Sequence, residues 1–158
     1  MLTVNIICVG KLKEEYLRKA QSEYLKRLSS FCRGRVIEIP EFRLPDSPSA
    51  AEIEKGLISE GKALQAKCRG FSVALCIEGE EIDSPSLAKK LNYLATRGES
   101  ELSFLIGGSY GLSDQIKRQS NMRLSMSPMT FPHQLARIML LEQIYRAFSI
   151  NGNGKYHK

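Results

Sequence analysis

Short apolar runs alternate with longer amphipathic segments along almost the whole chain of 158 residues. The short runs are rich in β-branched residues and stop at glycine, proline or polar residues, which predicts strands at residues 3–10, 35–40, 72–77, 102–106 and 122–125. The longer segments repeat apolar residues at helical spacing, which predicts helices at residues 13–31, 50–67, 84–96, 113–119 and 131–148. This alternation favours an α/β fold with a mainly parallel sheet flanked by helices.

Capping residues and proline-containing loops support the same division into strands and helices. Ser84 is the predicted N-cap of the third helix, with Pro85 at its first helical position, and residues 41–49 form a proline-containing loop. No internal repeat interrupts the alternation, and no linker is long enough to separate two units. We therefore expect residues 1–158 to form one domain, which is an ordinary size for a single core.

The last predicted helix carries apolar residues on all its sides. These are Leu135, Ile138, Met139, Leu141, Ile144, Tyr145 and Phe148. A helix that faces one core has a single apolar stripe, so this pattern predicts that part of the helix packs against a second subunit. Arg146 follows Glu142 by four residues, a spacing typical of a surface ion pair, but on this helix the pair would lie near the subunit seam.

Composition narrows the class of partner. Hydrophobic residues make up 42% and charged residues 25%, which are globular values, and the net charge of +6 favours an anionic partner, with nucleic acid the leading candidate. The four cysteines show no close pairing, and neither a secretion signal nor a membrane-spanning run is present, so we expect a cytoplasmic protein without membrane contact. His133 and His157 are the only histidines and no ligand spacing is present, so we expect no metal site.

Three predicted strand ends carry residues that suit a ligand. In open α/β sheets ligands bind beyond the carboxyl ends of the strands, and here those ends are residues 75–79, 106–111 and 125–131. Gly107, Gly108 and Gly111 permit close backbone approach, although a simple strand-to-helix turn explains the glycine pair equally well. Their spacing does not match a dinucleotide fingerprint. The three loops together predict a flat, mostly neutral ligand held by backbone groups and apolar walls.

The third of these loops has the most specific sequence. Pro128 and Pro132 restrict the backbone to a non-helical path, as a rigid cavity wall requires. The alternative is that Met126, Met129 and Phe131 fill gaps in the core.

Four segments make the chain resemble the ribosomal RNA large subunit methyltransferase H family. They are the motifs Ile-Gly-Gly-Ser-x-Gly-Leu at 106–112, Leu-Ser-x-Ser-x-Met-Thr-Phe-Pro-His-Gln-Leu at 124–135, Leu-Glu-Gln-Ile-Tyr-Arg-Ala-Phe at 141–148 and Tyr-His-Lys at 156–158. The resemblance covers essentially the whole chain. It implies a SPOUT-type α/β fold with a C-terminal trefoil knot, a topology that general rules of chain connection would exclude.

The resemblance also implies a reaction. Members transfer a methyl group from S-adenosyl-L-methionine to N3 of a pseudouridine in large-subunit (23S) ribosomal RNA on the assembled ribosome, and they act as homodimers. By the family pattern, the cofactor contacts are Leu75, Gly107, Met126, Ser127, Pro128, Met129, Thr130 and Phe131. All of these lie on the three loops that the strand ends single out. Pro128 stands where relatives often have lysine, and residues 151–154 depart from the commoner tail sequence.

Four residues are the predicted catalytic group: His157, Arg146, Tyr156 and Glu142. Imidazole changes charge near neutral pH, so His157 is the best candidate base, with contact to RNA phosphate or a base as its alternative. Tyr156 would stack on a nucleobase or pack as a terminal aromatic. Arg146, oriented by Glu142, would steady RNA or a developing anion.

A second function stays open at this stage. A SPOUT fold could also serve as a non-catalytic factor that binds the ribosome or assists its assembly. The basic N-terminal quarter, including Lys11, Lys13, Arg18 and Lys19, suits ribosomal phosphate in either case. The intact cofactor loops and the Tyr-His-Lys tail favour the enzyme.

Overall fold

The computed structural model describes residues 1–152, which form five strands and five helices in strict alternation. The elements are β1 (Thr3–Val9), α1 (Glu15–Leu28), β2 (Arg33–Ile39), α2 (Ala50–Lys67), β3 (Phe71–Glu81), α3 (Ser84–Thr96), β4 (Glu101–Ile106), α4 (Asp114–Gln119), β5 (Met122–Ser125) and α5 (His133–Asn151). Every strand and helix that the sequence predicts is present, in the predicted order.

The five strands form one parallel sheet in the order β2-β1-β4-β3-β5. β1 is buried along its whole length and β4 almost so, which explains their continuous apolar sequences. One core lies beneath α1, α3 and α5, and a smaller one lies on the opposite face beneath α2 and α4. The predicted mainly parallel sheet covered on both faces is therefore confirmed.

Several element boundaries differ from the prediction by a few residues. The contacts explain two differences, at the N-cap of α3 and at the end of β3. The N-cap of α3 is Asp83 rather than Ser84, because the Asp83 carboxylate accepts a hydrogen bond from the Ser86 amide at 2.8 Å. β3 extends to Glu81, beyond the predicted end at residue 77, because Leu124 of β5 pairs with both Leu75 and Glu80 of β3. Residues 76–79 consequently leave the ladder as a bulge.

Helix α5 packs on the sheet between α1 and α3. Leu141 and Ile144 are fully buried and Ile138 is nearly so, all within the chain's own core. These three residues therefore face the chain's own core, because the chain surrounds α5 on more than one side. The expectation that another part of the helix packs against a second subunit stays a prediction. A less buried stripe remains along the helix at spacings of four, three and four residues; we call it the outer stripe, and it consists of Leu135, Met139, Glu142 and Arg146.

No helix within residues 1–152 is both long enough and apolar enough to cross a membrane. The trefoil knot implied by the family resemblance stays a prediction.

Candidate active site

One cavity of about 730 Å³ lies at the carboxyl ends of β3, β4 and β5. Its walls come from the three loops at residues 75–78, 106–112 and 126–133, so Leu75, Gly107 and Met129 share one space. A volume in this range suits a ligand of cofactor size. β4, β3 and β5 are neighbours in the sheet, so the loops at their carboxyl ends meet. They meet at the position where the sequence predicts a ligand.

Most of the predicted cofactor contacts border this cavity. They are Leu75, Gly107, Met126, Ser127, Met129, Thr130 and Phe131. Pro128 belongs to the same loop but does not line the cavity. Seven of the eight predicted residues therefore lie around one cavity. The contact of each residue with a cofactor stays a prediction.

The glycine-rich loop after β4 turns back tightly on itself. A β-carbon on Gly107 would lie 2.2 Å from the carbonyl oxygen of Gly111, and Gly111 itself has a φ of 82°. The Gly111 amide donates to the Gly108 carbonyl at 3.0 Å and closes the turn. The glycine pair therefore forms a tight turn after the strand, and this compact backbone is also a wall of the cavity. Its contact with a ligand stays a prediction.

Serine side chains stabilise the loop after β5. The Ser125 hydroxyl donates to the Ser127 carbonyl at 3.2 Å, and the Met129 amide donates to the Ser127 hydroxyl at 3.0 Å. Met129 is 73% exposed, so it does not fill a gap in the core. Met126 does both things that the sequence left open, since it packs against the core and lines the cavity.

Glu78 and Lys117 place an ion pair at the cavity wall that the sequence analysis missed. The Lys117 ammonium lies 2.5 Å from Oε1 of Glu78, and this contact holds the pKa of that carboxyl below its usual range. Glu78 belongs to a segment that the strand-end argument singled out, but Lys117 lies on α4. Only the fold brings the two residues together.

Arg137 is a second residue that the sequence analysis missed. It is 1% exposed, and its guanidinium donates to Glu38 at 2.7 Å, to Gln21 at 3.1 Å and to the Gly10 carbonyl at 3.0 Å. These contacts fix the first turns of α5 against α1, β2 and the loop after β1. Its place between Ala136 and Ile138, in an apolar part of the helix, is the signal that could have indicated a buried, paired cation.

Comparison with known proteins places these features in a family. The family described as "Predicted SPOUT methyltransferase" matches residues 2–157. Ribosomal RNA large subunit methyltransferase H of Clostridioides difficile is 45% identical to this chain, and the protein of the same name from Bacillus cytotoxicus is 47% identical; each alignment covers 99% of this chain and 100% of the relative.

The chain belongs to the SPOUT methyltransferase family. These two relatives, among others, further assign it, within that family, to the ribosomal RNA large subunit methyltransferase H proteins. A solved probable methylase family protein from Haemophilus influenzae Rd KW20 shares the fold, with a TM-score of 0.56 at 10% identity over 98% of this chain and 70% of that one.

SPOUT methyltransferases use S-adenosylmethionine. The cavity fits this cofactor, because it is large enough, has apolar walls for a flat base and is bordered by a glycine loop that brings backbone close. When bound, the cofactor supplies an electrophilic methyl group on a sulfonium. Leu75, Gly107 and the 126–131 loop would hold it, in agreement with the family pattern.

Two titratable groups of this SPOUT methyltransferase border the cavity without carrying charge at neutral pH. Burial lowers the pKa of His133, with Arg137 and Lys13 adding to the effect and Glu41 opposing it. Burial likewise raises the pKa of the Cys76 thiol, and Glu78 adds to that effect. Cys76 therefore stays a thiol, which is a poor nucleophile and does not compete for the methyl group.

Of the predicted catalytic residues, Glu142 and Arg146 do not line the cavity. Arg146 donates from Nε to Glu142 at 2.8 Å, so the expected i,i+4 pair forms on the outer stripe. From Ala136, the last residue of α5 at the cavity, to Glu142 and Arg146 the helix rises by about 9–15 Å. Tyr156 and His157 lie outside the described residues. Among the described residues, no group of three or more His, Cys, Asp or Glu is arranged to hold a metal ion.

Proposed function

We propose that this protein transfers a methyl group from S-adenosylmethionine to N3 of a pseudouridine in 23S ribosomal RNA on the assembled ribosome. Two full-length relatives named for large-subunit ribosomal RNA methylation support the substrate class. The cavity lined by Leu75, Gly107 and residues of the 126–131 loop is the observation that carries the proposal, because it has the size for a cofactor at the predicted position. The N3 position and the assembled ribosome follow from the family resemblance.

The target nitrogen dictates what the protein must do. N3 of pseudouridine carries a proton between two carbonyls, so the proton must leave before or during attack on the methyl group. General base catalysis contributes about 10²- to 10⁴-fold, and holding the nucleophile in line with the methyl group contributes roughly 7–11 kcal/mol. Positioning of the nucleobase is thus the larger requirement.

We assign these tasks to the tail and the outer stripe. His157 acts as the base or as a contact to the RNA, and Tyr156 stacks on the target base or its neighbour. Arg146 steadies the RNA or the developing anion, and Glu142 orients it through their hydrogen bond of 2.8 Å.

A homodimer would bring these groups to the cavity. Within one chain, the Glu142–Arg146 pair lies about 9–15 Å along α5 beyond Ala136, the last residue of this helix at the cavity, and it does not border that cavity. A second copy packed on the outer stripe would supply its own pair and tail to that cavity. We place this dimer in the cytoplasm, with ribosomes.

Truncation of the tail tests this proposal. We expect a chain ending after Gly154 to bind S-adenosylmethionine with unchanged affinity in calorimetry, yet to leave ribosomes from cells lacking this protein unmethylated. Nucleoside mass spectrometry of their 23S RNA would measure N3-methylpseudouridine, and the matched control is the single substitution Lys155→Gln, which keeps the last three residues.

Each arm of this experiment can contradict a different part of the proposal. Unchanged turnover by the truncated chain would rule out a catalytic tail. A full-length chain without saturable S-adenosylmethionine binding would contradict the enzyme altogether and favour a ribosome-binding or assembly factor. A methyl group found on another atom would overturn the N3 assignment.

A further inference from the structure

The bulge in β3 projects a carboxylate toward the cavity. Leu124 pairs with Leu75 on one side and Glu80 on the other, so residues 76–79 arch away from β5. The arch depends on Gly79, where a β-carbon would lie 2.7 Å from the Leu124 carbonyl carbon. As a result, Cys76, Ile77 and Glu78 form part of the cavity wall.

Lys117 of α4, which also lines the cavity, holds this carboxylate. The Lys117 side chain is 22% exposed and the Glu78 side chain 57% exposed, and Oε1 of Glu78 makes the contact of 2.5 Å. A carboxylate has about four acceptor positions on its two oxygens, so one ammonium contact leaves acceptor capacity toward the cavity. Glu78 is also the only carboxylate among the described residues that line this cavity.

We propose that Glu78 accepts hydrogen bonds from the ribose hydroxyls of the methyl donor and that Lys117 is a positioning residue that aims it. The inference deepens the proposed function and rests on it, because it concerns the same cofactor cavity. A ribose offers two adjacent neutral donors, and a carboxylate is the acceptor that suits such a diol. The ion pair is already neutral as a whole, so a neutral diol gains contacts without competing with Lys117.

The other polar end of the donor fits this pair less well. Its ammonium would meet a carboxylate that Lys117 already neutralises, and its carboxylate would meet an ammonium that Glu78 already occupies. Either contact would have to weaken the existing ion pair. The Glu78–Lys117 ion pair therefore suits the neutral ribose better than either charged group of the donor.

A chemical double-mutant cycle tests the inference. Calorimetry would compare S-adenosylhomocysteine with its analogue lacking both ribose hydroxyls, on the wild-type chain and on Glu78→Ala. We expect the missing hydroxyls to cost the wild type about 10- to 100-fold in affinity, the range for hydrogen bonds to a charged group, and to cost Glu78→Ala much less. Glu78→Gln, which keeps one acceptor oxygen, should fall between the two. Equal losses in wild type and Glu78→Ala would overturn the inference.

Two controls separate this role from others. Glu80→Ala removes a neighbouring exposed carboxylate that does not line the cavity, and it should leave both affinities unchanged. Methylthioadenosine keeps the ribose but lacks the amino-acid end, so Glu78→Ala should weaken its binding as much as that of S-adenosylhomocysteine. An effect confined to ligands with the amino-acid end would contradict ribose recognition.

The same measurements test the proposed function and the ribose contact separately. Failure of the wild-type chain to bind S-adenosylhomocysteine would contradict the proposed function. Normal binding without coupling between Glu78 and the ribose hydroxyls would contradict only the ribose inference. Thermal unfolding of each variant checks that the half-exposed Glu78 is not needed for folding, and Lys117→Met should weaken binding less than Glu78→Ala.

Discussion

Gly107 occupies a position where the backbone leaves no room for a side chain. The nearest atoms to a β-carbon there belong to the backbone of Gly111, which cannot rotate away as a side chain would. Any larger residue must therefore open the turn that forms one wall of the cavity. Glycine is therefore required at this position for a steric reason, and the position lines the cavity.

We expect Gly107→Ala to weaken S-adenosylmethionine binding by at least about 10-fold and to lower the stability by about 1–3 kcal/mol, the usual cost of overpacking. Calorimetry and urea unfolding would measure the two effects. Gly152→Ala is the matched control, since its β-carbon would lie 3.5 Å or more from its neighbours. Normal binding by Gly107→Ala would show that this loop does not shape the cofactor site.

His133 gives the cavity a pH dependence whose sign follows from its lowered pKa. Between that lowered value and the ordinary 6.5, the unfolded chain binds more protons than the folded chain, so the contribution to stability is complete above 6.5 and is lost as the pH falls. A protonated imidazole would also repel a sulfonium.

We therefore expect stability and S-adenosylmethionine affinity to decline from pH 7 to pH 5, and His133→Gln to flatten both curves. Melting temperatures and calorimetry across this range are the measurements. The neighbouring groups that also influence this site are Glu41, Arg137 and Lys13. An identical pH profile in the variant would contradict a role for His133.

Some residues of the candidate site could be predicted from the sequence and others could not. Leu75, Gly107 and Met129 could be found because parallel strands end at one edge of a sheet, so their loops must meet. The Glu78–Lys117 pair could not, because its partners lie on elements 39 positions apart whose contact depends on the strand order.

At the scale of elements, local signals fixed some boundaries and tertiary contacts fixed others. Helix α2 matches its predicted bounds because Ser49 and Glu52 form a capping box at its start. Strand β3 is longer than predicted because its last residues pair with β5 beyond the bulge, which no local pattern records. For α5, apolar residues on several sides indicate several packing surfaces but do not say whether another chain provides them.

Charge placed at two positions of α5 should separate folding from association. Ile144 is completely buried in the chain's own core. Ile144→Arg would place an unpaired charge there, so this variant should unfold. Met139 lies on the outer stripe, so Met139→Arg should leave a folded chain that associates more weakly. Circular dichroism and light scattering would measure folding and mass. A Met139→Arg chain of unchanged dimer mass would contradict a dimer through the outer stripe.

The whole molecule carries a net charge of +6, and part of that charge lies beside the cavity. The backbone amide of the exposed Lys13 donates to Gln134 at 2.9 Å, which places this basic residue next to the first turn of α5. Ribosomal phosphate would meet such residues when the target base reaches the cavity. Binding to RNA should therefore depend on salt.

We expect ribosome affinity to fall steeply with salt and Lys13→Gln to reduce the slope of log K against log[salt] by about one. Binding assays at several salt concentrations would measure it. Lys62→Gln on α2, which covers the opposite face of the sheet, is the control of equal charge and should leave the slope unchanged. Equal slopes in all three proteins would place the RNA elsewhere.

For the whole molecule, the sequence predicts a sheet with helices on both faces but not the order of the strands in that sheet. Alternating apolar runs require a covered parallel sheet, and the family resemblance adds the reaction. The strand order β2-β1-β4-β3-β5 has no local signature, although it alone makes the ends of β3, β4 and β5 meet at one cavity. Long-range pairing of this kind is decided by the packing of the complete chain.

The buried guanidinium of Arg137 has a consequence for the order in which the chain assembles. Its partners come from α1, β2 and the segment after β1, and a cation removed from water without them is costly. We expect the last helix to dock only after the N-terminal third is in place. A nascent or partly folded chain would then have no finished pocket, so only mature molecules could capture the methyl donor.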